Sequence, residues 1–145
     1  MEGSGVIEKS ETSEWLGTIV ITTKANTSDI RLCIDLRDLN KSIEVDRHTL
    51  PRINEMLSLI KNATIFSKLD LSSAYHQVAL CPKSKHLTAF TTPFGTYRFC
   101  RMPFGLASAA SVFQRVMQSV LNGSKNTLCF QDDILIFAKD VNEHN

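Results

Sequence analysis

Two apolar segments near the end of the chain, separated by a pair of aspartates, constrain its fold more than any other feature. Residues 127–131 and 134–138 both have the composition of a strand, and only Asp132 and Asp133 stand between them. Two residues are the shortest connection of a β-hairpin, and Asp is tolerated in turns. The pattern therefore predicts a hairpin with two adjacent carboxylates at its tip. An isolated Asp-Asp pair is more often an ordinary polar turn, so its meaning depends on its neighbours.

The rest of the chain mixes strand-like and helical patterns. β-Branched or alternating runs predict strands at residues 16–24, 30–36, 64–71, 87–91 and 96–101. In the second of these runs the alternation places Arg31, Cys33 and Asp35 on one face. We expect residues 72–81 to be a turn that passes into another strand, and residues 82–86 to be a polar connector.

Two segments have the apolar spacing of helices, residues 52–60 and 107–121. Apolar residues three and four positions apart form one face of a helix. The first predicted face consists of Ile53, Met56, Leu57 and Ile60. The second consists of Val112, Phe113, Val116, Met117, Val120 and Leu121.

A third aspartate, Asp70, lies at the end of the predicted strand 64–71. A lone Asp there usually caps the following turn. If this strand lies beside the hairpin, however, Asp70, Asp132 and Asp133 converge, and their mutual repulsion favours bound cations. Oxygen ligands suit Mg²⁺, and two such ions can stabilise the attacking and leaving oxygens of a phosphoryl transfer. The three aspartates are therefore candidates for metal-assisted nucleotidyl transfer.

Composition narrows the partners only partly. The chain has 145 residues, 43% of them hydrophobic, which suits one globular domain or a fragment of a larger one. A net charge of +1 means that a nucleic-acid groove would need local clustering of Lys and Arg. The cysteines lack metal-ligand spacing and are expected to be reduced thiols, mostly in strands. We expect no membrane segment and no signal peptide, hence an intracellular protein, and the strong patterns near both ends suggest truncation.

Several long runs, in order and with constant spacing, point to one family. They are FSKLDLSSAYHQVAL, TAFTTPFGTYRFCRMPFGLASAASVFQRVM and FQDDILIFAK, together with RLCIDLRDLNK and DRHTLPRI. These runs closely resemble the reverse transcriptases of gypsy-type LTR retrotransposons, over essentially the whole chain.

The resemblance implies an α+β fold, the palm of a right-hand polymerase (an antiparallel sheet backed by helices) with a partial fingers subdomain. Fingers would comprise residues 1–46 and 78–108, and palm residues 47–77 and 109–145. The thumb, connection and RNase H regions would be absent. The implied function is RNA-directed DNA polymerase, adding deoxynucleotides to a primer 3′-hydroxyl, in the cytoplasm within a retroelement particle or in the nucleus.

The resemblance also implies roles for individual residues. Asp70, Asp132 and Asp133 match the catalytic metal-binding triad for two Mg²⁺ ions, which Mn²⁺ can replace, and the Leu71 carbonyl would be a further ligand. Tyr75 matches a steric gate against ribose. The full nucleotide-binding set is Lys24, Arg31, Ser73, Ala74, Tyr75, Phe104 and Gly105. Phe130 and Gln131 would contact the template–primer.

The implied partners are an RNA or DNA template with its primer, deoxynucleoside triphosphates and the remainder of the retrotransposon polyprotein. Each single residue also has a plainer interpretation: Lys24 and Arg31 as solvated charges, Tyr75 and Phe104 as core aromatics. Phe130-Gln131 departs from the family, which usually has Tyr followed by Val, Leu or Met. We also expect the last strand, residues 134–138, to be an exposed apolar edge.

Two alternative functions stand beside the polymerase. One is a non-catalytic, nucleic-acid-binding remnant of a retroelement. The other is a different Mg²⁺-dependent phosphoryl-transfer enzyme, such as a nucleotide cyclase, which the runs LPRI, AYHQ and MPFGL disfavour.

Overall fold

The computed structural model describes residues 1–11, 13–23, 30–46 and 48–144. The chain divides into two compact units, residues 1–45 with 75–109 and residues 46–74 with 110–145. The assignment of fingers and palm, with the boundaries given above, stays a prediction. The strands are β1 (Ile7–Lys9), β2 (Ile19–Thr23), β3 (Ile30–Ile34), β4 (Ile65–Asp70), β5 (Phe90–Thr92), β6 (Gly95–Phe99), β7 (Thr127–Phe130) and β8 (Asp133–Ala138). The α-helices are α1 (Arg37–Ser42), α2 (Ile53–Leu59), α3 (Ala109–Val120) and α4 (Val141–His144).

The first unit contains an antiparallel sheet of order β1-β6-β5 and the hairpin β2-β3. Its core follows from the alternation in and after β3, which buries Ile34 and Leu36. Leu39 of α1, Phe90 and Phe99 complete this core. The rings of Phe90 and Phe99 lie 5.5 Å apart, a separation typical of packed aromatic pairs.

The second unit contains the antiparallel sheet β4-β8-β7, with α3 as its longest helix. In β8, Ile134 and Ala138 are buried, as are Phe113 and Met117 of α3. The prediction that residues 134–138 form an exposed edge was wrong. β8 is the central strand because β4 and β7 both pair with it, which satisfies its backbone on both sides.

Two segments differ from their predicted structure: residues 72–81, expected to be a turn that passes into a strand, and residues 82–86, expected to be a polar connector. Residues 72–81 contain a 3-10 helix, Ala74–Gln77, and only Ala79 makes an isolated bridge, to Arg101. Pro82–Thr88 is also a 3-10 helix, with Pro in the first turn, where the missing N–H is harmless. The helix α1 was not predicted from the sequence. It begins at Arg37, whose backbone N–H donates a hydrogen bond to the carboxylate of Asp35 at 3.0 Å.

The predicted helical faces are only partly buried. α2 buries none of its residues, and Ile53 remains 63% exposed. On α3, Phe113 and Met117 are buried, but Val120 is exposed and Gln114 is buried instead. The face of α3 that packs is therefore rotated toward Gln114, a polar residue that apolar spacing cannot select.

The cysteines are free thiols, as expected. Only Cys33 and Cys129 lie in strands, so the expectation that most of them do was wrong. Cys100 directly follows β6, and Cys81 directly precedes the second 3-10 helix. Within the described ranges, no helix has the length and apolar character needed to cross a membrane.

Candidate active site

The tip of the β7-β8 hairpin carries the aspartate pair, but shifted by one residue from the predicted turn. Phe130 pairs with Asp133, so Gln131 and Asp132 form the turn and Asp133 begins β8. Gln131 has φ +56°, a left-handed conformation that is favoured at the first central residue of a two-residue hairpin loop. The Leu71 N–H donates to the Asp132 carbonyl at 3.0 Å, which joins the end of β4 to this turn.

Asp70 lies directly opposite Asp133 across the β4-β8 pair. Residues opposed in an antiparallel pair project from the same face, with Cβ atoms about 5 Å apart. Asp132 is adjacent in the turn, and its side chain and that of Asp70 are exposed, whereas Asp133 is half-buried. The structure thus brings the three predicted carboxylates to one end of one sheet.

Lys68 lies beside these carboxylates because it precedes Asp70 by two residues and shares its face of β4. Its ammonium is 3.0 Å from Oδ1 of Asp133. The hydrogen bond and charge of Asp133, with smaller contributions from Asp70 and Asp132, raise the pKa of Lys68. All three aspartates therefore attract a cation to this point.

The residues present fit a divalent cation in chemistry, since the carboxylate donors are all oxygen and already attract the Lys68 ammonium. In the part of the chain that the structure describes, no three His, Cys, Asp or Glu side chains are already arranged around an ion position. Ligation by all three aspartates therefore requires side-chain rotation, for which the exposure of Asp70 and Asp132 leaves room.

A second group of predicted residues lies in the first unit. The rings of Tyr75 and Phe104 are 5.3 Å apart, and that of His76 is 5.1 Å from Phe104. Burial lowers the pKa of His76, so its imidazole is favoured in the neutral form. Gly105 has φ +95°, which a residue with a side chain adopts only with strain.

Asn40 holds the segment after Phe104 and was missed from the sequence. Its Nδ2 donates to the Gly105 carbonyl at 2.8 Å, and its Oδ1 accepts from the Ala107 N–H at 2.9 Å. This one side chain replaces two backbone partners and shapes the turn around Gly105. Its sequence signal was its place in the family run RLCIDLRDLNK.

The other predicted residues are distributed as follows. Ser73 is exposed with φ +51°, and Ala74 is buried at the start of the first 3-10 helix. Phe130 ends β7 and is half-buried. Arg31 lies in β3 opposite Thr22, but its side chain is outside what the structure describes, and Lys24 lies outside the described residues altogether.

Curated relatives of the chain include polyproteins of transposable elements. The transposon Tf2-3 polyprotein of Schizosaccharomyces pombe is 34% identical over 143 residues, 97% of this chain and 11% of the polyprotein. The retrovirus-related Pol polyprotein from transposon gypsy of Drosophila melanogaster is 40% identical over 116 residues, 79% of this chain and 11% of the polyprotein. The chain thus spans about a tenth of the length of these relatives.

Solved structures similar to the chain include foamy virus enzymes. The foamy viral protease-reverse transcriptase in complex with double-stranded DNA has a TM-score of 0.89 at 22% identity, covering 98% of this chain and 25% of that one. The same enzyme with an RNA/DNA hybrid has a TM-score of 0.80 at 23% identity, covering 97% of this chain and 19% of that one. This likeness shows the fold: an α+β polymerase palm with a partial fingers subdomain.

A sequence profile of the family described as reverse transcriptase (RNA-dependent DNA polymerase) matches residues 22–145, which include Asp70, Asp132 and Asp133. The match agrees with the transposon relatives and with the fold. The chain belongs to the reverse transcriptase family.

Proposed function

We propose that this chain is the polymerase active-site region of a gypsy-type retrotransposon reverse transcriptase, adding deoxynucleotides to a primer 3′-hydroxyl on an RNA or DNA template. The observation that carries the proposal is the pairing of Asp70 with Asp133 at the sheet end where Asp132 forms the turn. Support comes from relatives that are transposon polyproteins and from a foamy virus enzyme whose solved complexes contain DNA or an RNA/DNA hybrid.

The metal ligands that we propose are the carboxylates of Asp70, Asp132 and Asp133 and the carbonyl of Leu71. Two Mg²⁺ ions, or Mn²⁺ in their place, would lower the pKa of the primer hydroxyl and neutralise the leaving pyrophosphate. The chain's own contribution is positioning: the β4-β8 ladder holds two carboxylates opposite each other, and Lys68 partly neutralises them before a cation arrives.

For the nucleotide we assign roles by the family resemblance. Lys24 and Arg31 would bind the triphosphate, and the guanidinium of Arg31 offers a bidentate fork. Ser73, Ala74 and Tyr75 would line the sugar, with the ring of Tyr75 excluding a 2′-hydroxyl. Phe104 and Gly105 would lie against the base pair, and Phe130 with Gln131 would contact the template–primer.

Metal binding tests the proposal without requiring turnover. In a titration with Mn²⁺, followed by calorimetry and by paramagnetic broadening of NMR signals, the wild type should bind and Asp132→Asn should bind markedly more weakly. Affinity should be modest without nucleotide, because these ions expect phosphate oxygens as further ligands. Asp38→Asn, at an exposed ion pair in α1, is the matched control and should behave as wild type.

Equal Mn²⁺ signals from wild type and Asp132→Asn would contradict the metal site. They would favour the alternative of a non-catalytic, nucleic-acid-binding remnant. The residues Phe130-Gln131, which differ from those of the usual family hairpin, would agree with that alternative.

A further inference from the structure

Gln114 is a polar side chain in an unusually buried place. It lies on α3 between the buried Phe113 and Met117 positions and is only 1% exposed. A buried amide is tolerated when both its oxygen and its nitrogen find partners, because an unpaired polar group loses its hydration without compensation. The partners of Gln114 therefore indicate why this position is not apolar.

Both ends of the Gln114 amide are bonded to the backbone of the aspartate hairpin. Its Nε2 donates to the carbonyl of Cys129 at 2.9 Å, and its Oε1 accepts from the N–H of Gln131 at 3.0 Å. The amide thus spans the backbone on either side of Phe130. Reversing the amide would oppose donor to donor and acceptor to acceptor, so the two bonds select one orientation.

The contact is made at the strained position of the turn. Gln131 has φ +56°, and residues other than glycine keep that conformation when their surroundings hold it. Cys129 adds a weaker restraint, its Sγ donating to the Gln131 carbonyl at 3.3 Å. The restrained residue leads directly into Asp132 and Asp133.

We infer that Gln114 is a positioning residue for the carboxylates: its side-chain amide fixes the left-handed backbone of Gln131 and thereby the direction in which Asp132 and Asp133 leave the turn. The inference rests on the proposed function for the role of those aspartates in metal binding. The hydrogen bonds of Gln114 go to backbone atoms of Cys129 and Gln131, so it acts on the carboxylates through the turn.

Two substitutions separate this role from ordinary packing. Gln114→Met keeps the length of the side chain and removes both hydrogen bonds. Gln114→Glu keeps an acceptor for the Gln131 N–H but sets a carboxylate oxygen against the Cys129 carbonyl. Gln114 and Cys129 border a cavity of about 280 Å³ between α2, α3 and β7, which gives the new side chains room to adjust.

Gln118→Met is the matched control. Gln118 lies one turn later on α3, is exposed, and its Oε1 is 2.8 Å from Nε2 of His48. This variant makes the same chemical change on the same helix and also loses a hydrogen bond, but that bond joins Gln118 to His48 and not to the hairpin.

Two measurements on the full chain of 145 residues decide the inference. Native-state hydrogen exchange at the Gln131 N–H should accelerate about tenfold in Gln114→Met, beyond any change in global stability, and not in Gln118→Met. In the Mn²⁺ titration, affinity should fall several-fold in Gln114→Met and in Gln114→Glu, with weaker broadening at Asp132 and Asp133. Gln118→Met should bind as wild type.

If Gln114→Met exchanges and binds Mn²⁺ like Gln118→Met, the inference is wrong and Gln114 is only a packing residue. If Gln114→Met fails to fold, the Mn²⁺ titration of Gln114→Glu decides: a several-fold loss of affinity supports the inference, and binding like that of Gln118→Met contradicts it. A wild type and an Asp132→Asn variant with equal Mn²⁺ signals would overturn the metal site instead, and Gln131 exchange would then still decide whether Gln114 holds the turn.

Discussion

Lys68 shows how a single residue alters the charge of the candidate site. Three aspartates at one sheet end repel one another, and the Lys68 ammonium, 3.0 Å from Asp133, relieves part of that repulsion. The pair is largely exposed, so its contribution to folding stability is small. Its effect on an incoming cation is larger, because a divalent ion meets a fixed positive charge beside its ligands.

Removing that charge should tighten cation binding. Lys68→Met keeps the length of the side chain, and we expect a several-fold gain in Mn²⁺ affinity, about 1 kcal/mol, at low salt. Calorimetric titration measures it, with Lys61→Met, at another exposed lysine of the same unit, as control. An affinity that falls in Lys68→Met would mean that the ammonium organises the carboxylates rather than competing for them.

Tyr75 carries the proposed selection between sugars. Tyr75→Val removes the ring that lies 5.3 Å from that of Phe104, and we expect the preference for deoxynucleotides over ribonucleotides to shrink. Each 1.4 kcal/mol of lost discrimination is about tenfold. Competitive binding of the two triphosphates in the presence of Mn²⁺ measures the ratio, and Tyr75→Phe, which keeps the ring, should retain it. A ratio unchanged by Tyr75→Val would leave Tyr75 as a core aromatic.

At the scale of elements, β1 is held to the first unit by charge as well as by its backbone ladder. The carboxylate of Glu8 in β1 accepts a hydrogen bond from Nε of Arg98 on β6 at 2.8 Å. It accepts another from Nζ of Lys85 in the second 3-10 helix at 3.1 Å. Hydrogen bonds from Cys100, Lys85 and Arg98 lower the pKa of Glu8 to about 2. Three elements therefore meet at one carboxylate.

This cluster predicts a pH dependence of stability. A carboxyl group with a lowered pKa stabilises the fold above its unfolded pKa, about 4.5, and that contribution is lost as the pH falls toward about 2. The Glu8 side chain is 36% exposed, so solvent screening keeps the effect modest. Urea unfolding between pH 6 and about 2.5 should show a smaller loss of stability in Glu8→Gln than in wild type. Glu2→Gln, at an exposed terminal position, serves as control. If the free energy of unfolding falls equally with pH in Glu8→Gln and in wild type, Glu8 is excluded as a source of acid sensitivity.

At the scale of the whole molecule, the charge balance limits what these residues can do with nucleic acid. Polymerases hold a duplex mainly through phosphate contacts, an affinity that adds over many Lys and Arg and weakens with salt. The net charge of this chain is +1, and the chain spans about a tenth of the length of its curated relatives. Few phosphate contacts are therefore expected from these residues.

We therefore expect micromolar or weaker binding of the chain to template–primer, lost on addition of salt, and no processive primer extension. Fluorescence anisotropy with a labelled duplex across a salt series, and an extension assay with Mg²⁺ and all four deoxynucleotides, test both points. Nanomolar, salt-resistant binding or long extension products would contradict the expectation.

Local sequence patterns predicted much of the element order. Strands β2 to β8 and helices α2 and α3 all lie within or close to the predicted segments, because strand and helix periodicities act over a few residues. The patterns were less informative where contacts between distant segments decide whether a strand or helix forms. The short strand β1, which pairs with β6 some ninety residues away, was missed for that reason.

For the candidate site, the sequence by itself determined which side chains are available, three aspartates at predicted strand ends, and the family to which the chain belongs. Only the tertiary structure decided the register that sets Asp70 opposite Asp133, the one-residue shift of the turn to Gln131 and Asp132, and the burial of Gln114. The physical reason is that these features depend on which hydrogen bonds and side chains are satisfied together. Residues 114 and 131, or 68 and 133, are distant in the chain, and local sequence patterns do not predict which distant residues pair.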